Sequence, residues 1–142
     1  MDNIKVKAGF GGRDELELDA ETDSGVIRTA KLKGIGCPQV LNLISDWRNR
    51  LKGPVAELPE PQGTDHASIL LRELIQKLKG TWEFPYKEDE LCHCRAIPCA
   101  VVDAAIVYGA DTANKVAVKT SAGTGCGTCR RNTESIIKFR RS

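Results

Sequence analysis

Hydrophobic and polar residues alternate along three short stretches near the start of the chain, at residues 4–8, 15–20 and 26–32. A period of two puts the apolar side chains of a strand on one face and the polar ones on the other. Turn residues at 11–12 and 23–25 separate the stretches and favour hairpins. The pattern predicts a small antiparallel sheet whose apolar face needs a cover.

A helical period follows the alternating stretches. Apolar residues from Val40 to Leu51 recur at spacings that place them on one side of a helix, which Pro38 would start. Glycine and proline at 53–54 predict its end, and residues 58–63 are typical of an extended connector.

A second apolar stripe runs from Ile69 to Leu78. Thr64 or Asp65 is predicted to cap this second helix, and Gly80 is predicted to end it. Strands followed by helices predict a compact α+β domain in which two helices cover the sheet.

The composition of the chain changes at residues 82–90, where aromatic side chains precede a short charged run. We place a domain boundary there, with a first domain at residues 1–82 and a second at residues 83–142. The second is predicted to be small and all-α. Its helices are expected to begin at Pro98, at Asp111 or Thr112, and at the last pair of cysteines.

Composition narrows the class of protein. Of 142 residues, 41% are hydrophobic and 28% are charged, which disfavours disorder, and the net charge of +2 gives no case for nucleic-acid or membrane binding. Neither a signal peptide nor a membrane span is evident, so we expect a cytoplasmic protein. In a reducing compartment the six cysteines are expected to be metal ligands or thiols.

Four of these cysteines form two close pairs, Cys92 with Cys94 and Cys126 with Cys129. Two short pairs that the fold brings together can present four thiolates to one metal centre. A 2Fe-2S cluster and a zinc ion both accept four thiolates, and the CxC spacing of the first pair favours the cluster. Cys99 is predicted to pack in the first helix of the second domain.

The second domain resembles a known family. Residues 92–95, 108–110, 120–123 and 126–129 are similar to segments of the bacterioferritin-associated-ferredoxin-like (BFD-like) 2Fe-2S domain, and most closely to the central ferredoxin domain of NifU-type proteins. The resemblance implies that the four paired cysteines hold a 2Fe-2S cluster in a small helical fold.

The first domain resembles the IscU/NifU scaffold on which clusters are assembled, through residues 26–37 and 66–70. Such scaffolds use three cysteines. Gly12 and Ala67 stand where the first and third would be, so the resemblance implies a degenerate, IscU-like scaffold domain.

The chain retains three candidate ligands at the positions that resemble the scaffold's metal site: Asp14, Cys37 and His66. A carboxylate, a thiolate and an imidazole are donors for a weak residual zinc or ferrous-iron site. The alternative is that Cys37 is an ordinary, partly buried thiol.

These features predict an iron-sulfur protein that acts in or alongside cluster assembly. The expected partner is a protein: a cysteine desulfurase, an apo iron-sulfur protein or a redox partner. The alternatives are a ferredoxin-like electron-transfer module and a zinc-stabilised interaction protein. We expect no enzyme, because no nucleophile and base, P-loop or dinucleotide motif is evident. Monomer and homodimer both stay open.

Overall fold

The computed structural model describes residues 2–10, 13–85, 90–92, 97–120 and 130–141. The chain forms two compact units. The first comprises Met1–Gln62 and Ala67–Trp82, and the second comprises Gly63–His66 and Glu83–Ser142. Among the described residues, no helix has both the length and the apolar character needed to cross a membrane.

An antiparallel sheet forms one layer of the first unit, in the order β1-β2-β3-β4. Its strands are β1 (Asp2–Gly9), β2 (Glu15–Asp23), β3 (Val26–Ile35) and β4 (Gly53–Pro54). The first three confirm the predicted strands. The fourth was not predicted, because it has two residues and pairs only with the start of β3, and so short a strand shows no alternation.

The hairpin between β2 and β3 closes through two residues, Ser24 and Gly25. Both have positive φ, 54° for Ser24 and 79° for Gly25. Two-residue hairpin loops with positive φ at both positions match the twist of the flanking strands. This turn sets the register in which Leu18 of β2 faces Leu32 of β3 on the core side of the sheet.

The outer face of the sheet is a ladder of charges. The central strand presents acidic side chains, and both neighbours present lysines: Glu17 and Asp19, Lys5 and Lys7, Lys31 and Lys33. The Lys5 ammonium lies 3.0 Å from the Glu17 carboxylate. The hydrogen bond between them lowers the pKa of Glu17 and raises the pKa of Lys5. Opposite charges on neighbouring strands stabilise the pairing of the strands. A face that carries so many charges is the solvated face of the sheet.

Two helices cover the apolar face of the sheet. Helix α1 (Pro38–Trp47) buries Val40, Ile44 and Trp47. It is shorter than predicted, because the chain tightens into a 3₁₀ turn at Arg48–Arg50. A second 3₁₀ turn spans Val55–Glu57.

Helix α2 (His66–Lys79) supplies the largest part of the core. Gly80 follows it with a φ of 78°, the left-handed conformation that commonly ends helices, which confirms the predicted end. Its fully buried side chains include Ala67, Leu70, Leu71, Leu74 and Ile75.

The predicted connector runs along α2 and is hydrogen-bonded to it. Glu60 accepts bonds from Gln76 (2.8 Å) and Lys79 (3.0 Å), and the Pro61 carbonyl accepts one from Arg72 (3.0 Å). Burial alone would raise the pKa of Glu60, but the bonds from Gln76 and Lys79 and the nearby positive charges outweigh it, so this pKa is lowered. We call residues 58–62 the strap.

The second unit contains three helices, α3 (Cys99–Val107), α4 (Ala113–Thr120) and α5 (Arg130–Arg141). The all-α prediction was wrong in one respect, since two short strands pair ahead of α3. These are β5 (Glu90–Cys92) and β6 (Ile97–Pro98). Strands of two and three residues are too short for a periodic signal.

Small side chains dominate the core of the second unit: Cys99, Val102, Ala105, Ile106, Ala110, Val116 and Ile136. Cys99 is 9% exposed, which confirms that it packs. Asp111 and Thr112 were the two predicted caps of α4. The backbone N–H of Lys115 donates to the Thr112 hydroxyl over 3.2 Å, so Thr112 forms the capping hydrogen bond.

A buried ion pair links α3 and α5. The Arg140 guanidinium donates two hydrogen bonds to the Asp103 carboxylate, at 2.8 and 2.6 Å. Both residues are less than a tenth exposed. The Phe84 ring centroid lies 5.6 Å from the guanidinium carbon.

Candidate metal centres

The four paired cysteines lie mostly outside the described residues. Cys94, Cys126 and Cys129 are not among them, and of Cys92 the structure describes the backbone, at the end of β5. The assignment of each of these four cysteines as a ligand of the 2Fe-2S cluster therefore stays a prediction.

A helix follows each cysteine pair. Helix α3 begins at Cys99, five residues after Cys94, and α5 begins at Arg130, directly after Cys129. The N-terminus of a helix carries partial positive charge and free N–H groups. Because a cluster bound by four thiolates is anionic and accepts hydrogen bonds at sulfur, this arrangement of elements suits such a group.

The structure brings a second predicted set together, Asp14, Cys37 and His66. One candidate ligand atom from each residue can be chosen so that all three lie within 4.8 Å of one another. Asp14 immediately precedes β2, Cys37 is the N-cap residue of α1, and His66 is the first residue of α2. We call these three residues the Asp-Cys-His cluster.

Local backbone geometry fixes Asp14 in this cluster. Asp14 is 4% exposed, and its Oδ1 accepts the backbone N–H of Cys37 over 2.8 Å. A side chain at Gly36, which has a φ of 156°, would overlap the Asp14 carboxylate. A side chain at Gly9, with a φ of 127°, would overlap the Asp14 carbonyl oxygen. Glycine at both positions therefore lets β1 and β3 close around this acid.

Sequence reasoning predicted the three residues of the cluster as candidate ligands but missed these two supporting glycines. The available signal was stronger for Gly9, which directly follows the predicted strand at residues 4–8, than for Gly36, which lies four residues beyond the predicted strand at residues 26–32. The first missing scaffold cysteine corresponds to Gly12, which lies outside the described residues. The third corresponds to Ala67, which is fully buried in the core.

The donor set of the Asp-Cys-His cluster has clear chemical preferences. One thiolate, one imidazole and one carboxylate suit zinc or ferrous iron, and three protein ligands leave a coordination position for a further ligand. A single thiolate is too few to hold a 2Fe-2S cluster by cysteine alone.

Comparison with known families identifies part of the chain. Residues 91–138 match the BFD-like 2Fe-2S binding domain. No curated protein and no solved structure matches the chain. The matched segment includes all four paired cysteines and spans 48 of the 142 residues, counting both ends. The second unit therefore contains a BFD-like domain, and the cofactor is a 2Fe-2S cluster. The match does not reach the first unit, where the IscU/NifU resemblance stays a prediction.

Proposed function

We propose that this chain is a cytoplasmic iron-sulfur protein, without enzymatic activity of its own, that acts in or alongside iron-sulfur cluster assembly. Cys92, Cys94, Cys126 and Cys129 would hold the 2Fe-2S cluster. Bound there, the cluster supplies a store of one electron, or of iron and sulfide for transfer. The BFD-like match and the helix that follows each cysteine pair support this assignment.

The observation that favours assembly over simple electron transfer is the Asp-Cys-His cluster. An electron-transfer module has no need of a second metal site, whereas a site for a single zinc or ferrous ion would serve a protein that handles iron. We propose that the Asp-Cys-His cluster binds a single zinc or ferrous ion weakly. The hydrogen bond from the Cys37 N–H orients the Asp14 carboxylate. The first unit would then act as a degenerate scaffold that docks a cysteine desulfurase or an apo iron-sulfur protein.

Cluster transfer tests the assembly role. The anaerobically purified protein would be mixed with an apo plant-type ferredoxin, and transfer would be followed by circular dichroism in the visible range. We expect transfer to be faster than spontaneous reconstitution from the same amounts of iron and sulfide. A cluster that is reduced reversibly but does not transfer would instead support the ferredoxin-like alternative. One zinc per chain without sulfide would support the zinc-stabilised alternative.

A separate experiment tests the second metal site. Zinc competition against a chromophoric chelator, with the four paired cysteines occupied by the 2Fe-2S cluster, would compare the wild type with Cys37→Ser and His66→Ala. We expect each variant to lose zinc affinity by about tenfold or more, because each removes one of three ligands. Cys99→Ala is the matched control, since it removes a thiol that packs in the apolar core around α3. Equal zinc affinity in all four proteins would rule out the site.

A further inference from the structure

The imidazole of His66 is stacked on the ring of Tyr108. Their ring centroids lie 5.1 Å apart, and the planes of the two rings are inclined by 27°. Stacking at such a separation is a favourable arrangement for aromatic pairs. His66 is a candidate ligand of the Asp-Cys-His cluster, whereas Tyr108 lies at the end of α3. Both residues belong to the second unit.

The His66 ring is the part of the cluster whose orientation is least fixed by its own backbone. The Asp14 carboxylate is oriented by the Cys37 N–H, which it accepts over 2.8 Å. The sulfur of a cysteine moves about a single side-chain torsion, χ1. An imidazole turns about χ1 and χ2, and the second of these has a broad energy profile. A neighbouring side chain is therefore needed to hold the imidazole in one orientation.

Tyr108 is well placed to do this, because its own backbone is closely defined. The N–H groups of the next two residues, Gly109 and Ala110, donate to the carbonyls of Ile106 and Ala105 over 3.2 and 2.9 Å. Gly109 has a φ of 124°. These bonds form a Schellman motif, which fixes the chain at the end of a helix. Ala110 is fully buried, so the motif is also anchored in the core.

A metal ion bound to His66 would strengthen the stack. Such an ion withdraws electron density from the imidazole and leaves the ring more positive. The face of a tyrosine ring is electron-rich and attracts groups that carry positive charge. The contact with Tyr108 therefore stabilises the metal-bound form of His66 more than the metal-free form.

From this contact we infer that Tyr108 is a positioning residue of the Asp-Cys-His cluster, whose ring holds the His66 imidazole in the orientation that binds zinc or ferrous iron. The inference rests on the proposed metal site and adds a residue outside its three ligands. Groups that orient a metal ligand from outside the ligand set contribute to metal affinity.

Nuclear magnetic resonance of the imidazole protons tests the stack before zinc is added, with the 2Fe-2S cluster bound. The chain has two histidines, and the signal that is missing from His66→Ala identifies His66. Protons above the face of an aromatic ring are shifted upfield. The His66 signal should therefore lie upfield in the wild type and in Tyr108→Phe, and it should move downfield in Tyr108→Leu.

Zinc competition against a chromophoric chelator then measures the consequence for the metal site. We expect Tyr108→Leu to lower zinc affinity by about fivefold. Tyr108→Phe should stay within about twofold of the wild type, because phenylalanine keeps the ring.

Phe139→Leu is the matched control. It removes another half-buried ring of the second unit, one that packs edge-on against Phe84 at a centroid distance of 5.8 Å. This variant should change neither the His66 signal nor the zinc affinity.

The visible absorbance of the 2Fe-2S cluster shows that each variant is folded, and Tyr108→Met replaces Tyr108→Leu if leucine abolishes that absorbance. A His66 signal that stays in place when the ring is removed would overturn the positioning role. So would a signal that moves without any loss of zinc affinity. A wild type that binds zinc no more tightly than Cys37→Ser would instead contradict the metal site itself, and the inference with it.

Discussion

The two units of this protein are stabilised in different ways. The core of the first contains large aliphatic side chains with almost no exposed surface, among them Leu18, Leu70 and Leu74, together with two buried acidic residues, Asp14 and Glu73. The core of the second is built mostly from alanine, valine and cysteine, and it encloses an ion pair. A small core contributes less hydrophobic free energy, so the second unit depends more on its ion pair and its metal cluster.

Removing the cluster should produce the largest difference between the units. Because folding and metal binding are coupled, we expect the apo second unit to lose stability on the order of 10 kcal/mol, the scale of structural zinc sites. Both tryptophans, Trp47 and Trp82, belong to the first unit, so their emission reports on that unit alone. Chelation should abolish the helical signal of the second unit in circular dichroism and leave tryptophan emission unchanged. A simultaneous shift in emission would contradict independent stabilisation.

Breaking the buried ion pair should have the next largest effect. Arg140→Met leaves the Asp103 carboxylate buried without its charged partner, which costs about 3–5 kcal/mol. Loss of the cluster's visible absorbance in urea would measure the change. The double variant Asp103→Leu with Arg140→Met is the control, and it should recover most of the stability because neither charge remains. Equal stability of the single variant and the wild type would show that the pair is not buried in solution.

A cavity in the first unit should change tryptophan emission and leave the cluster's absorbance unaffected. Leu18 is 0% exposed in the centre of β2, and Leu18→Ala should cost about 2–5 kcal/mol through lost burial and the cavity that remains. Tryptophan emission should then report unfolding at lower urea concentration, while the cluster's absorbance should follow the wild-type curve. If both signals shift together, the two units unfold as one.

The smallest expected effect concerns the strap. The pKa of Glu60 is lowered in the folded state, so its contribution to stability is present above the unfolded pKa of about 4.3 and is lost as pH falls through the folded pKa. Glu60→Gln should lower stability by about 1 kcal/mol or less at pH 7. The difference should shrink as pH falls through the folded pKa of Glu60, as measured by urea unfolding with tryptophan emission. A difference that does not change with pH in the acid range would assign the effect to packing.

Periodicity predicted the first unit well, because its long elements show their pattern many times. Strands β1 to β3 and helix α2 appear where alternation and the apolar stripe indicated. The elements that were missed are all short. Strands β4 and β6 have two residues each, and their pairing depends on where the rest of the chain places a partner.

The Asp-Cys-His cluster shows a different limit of sequence reasoning. The proximity of Asp14, Cys37 and His66 came from a family resemblance, since no local pattern links residues so far apart in the chain. What holds Asp14 in place depends on positive φ at Gly9 and Gly36. Backbone conformations of this kind follow from tertiary contacts, which a period of two or of 3.6 does not encode.

The meander of β1, β2 and β3 has a consequence for synthesis on the ribosome. All three strands are complete at Ile35, and their contacts are short in sequence, so they can pair early. Helix α2, which covers most of the apolar face of the sheet, ends at Lys79, 44 residues after Ile35. At about 5–20 residues per second, that interval lasts roughly 2–9 s. During it the apolar face of the sheet has only α1 to shield it, which makes this nascent segment a natural target for chaperones that bind exposed strands.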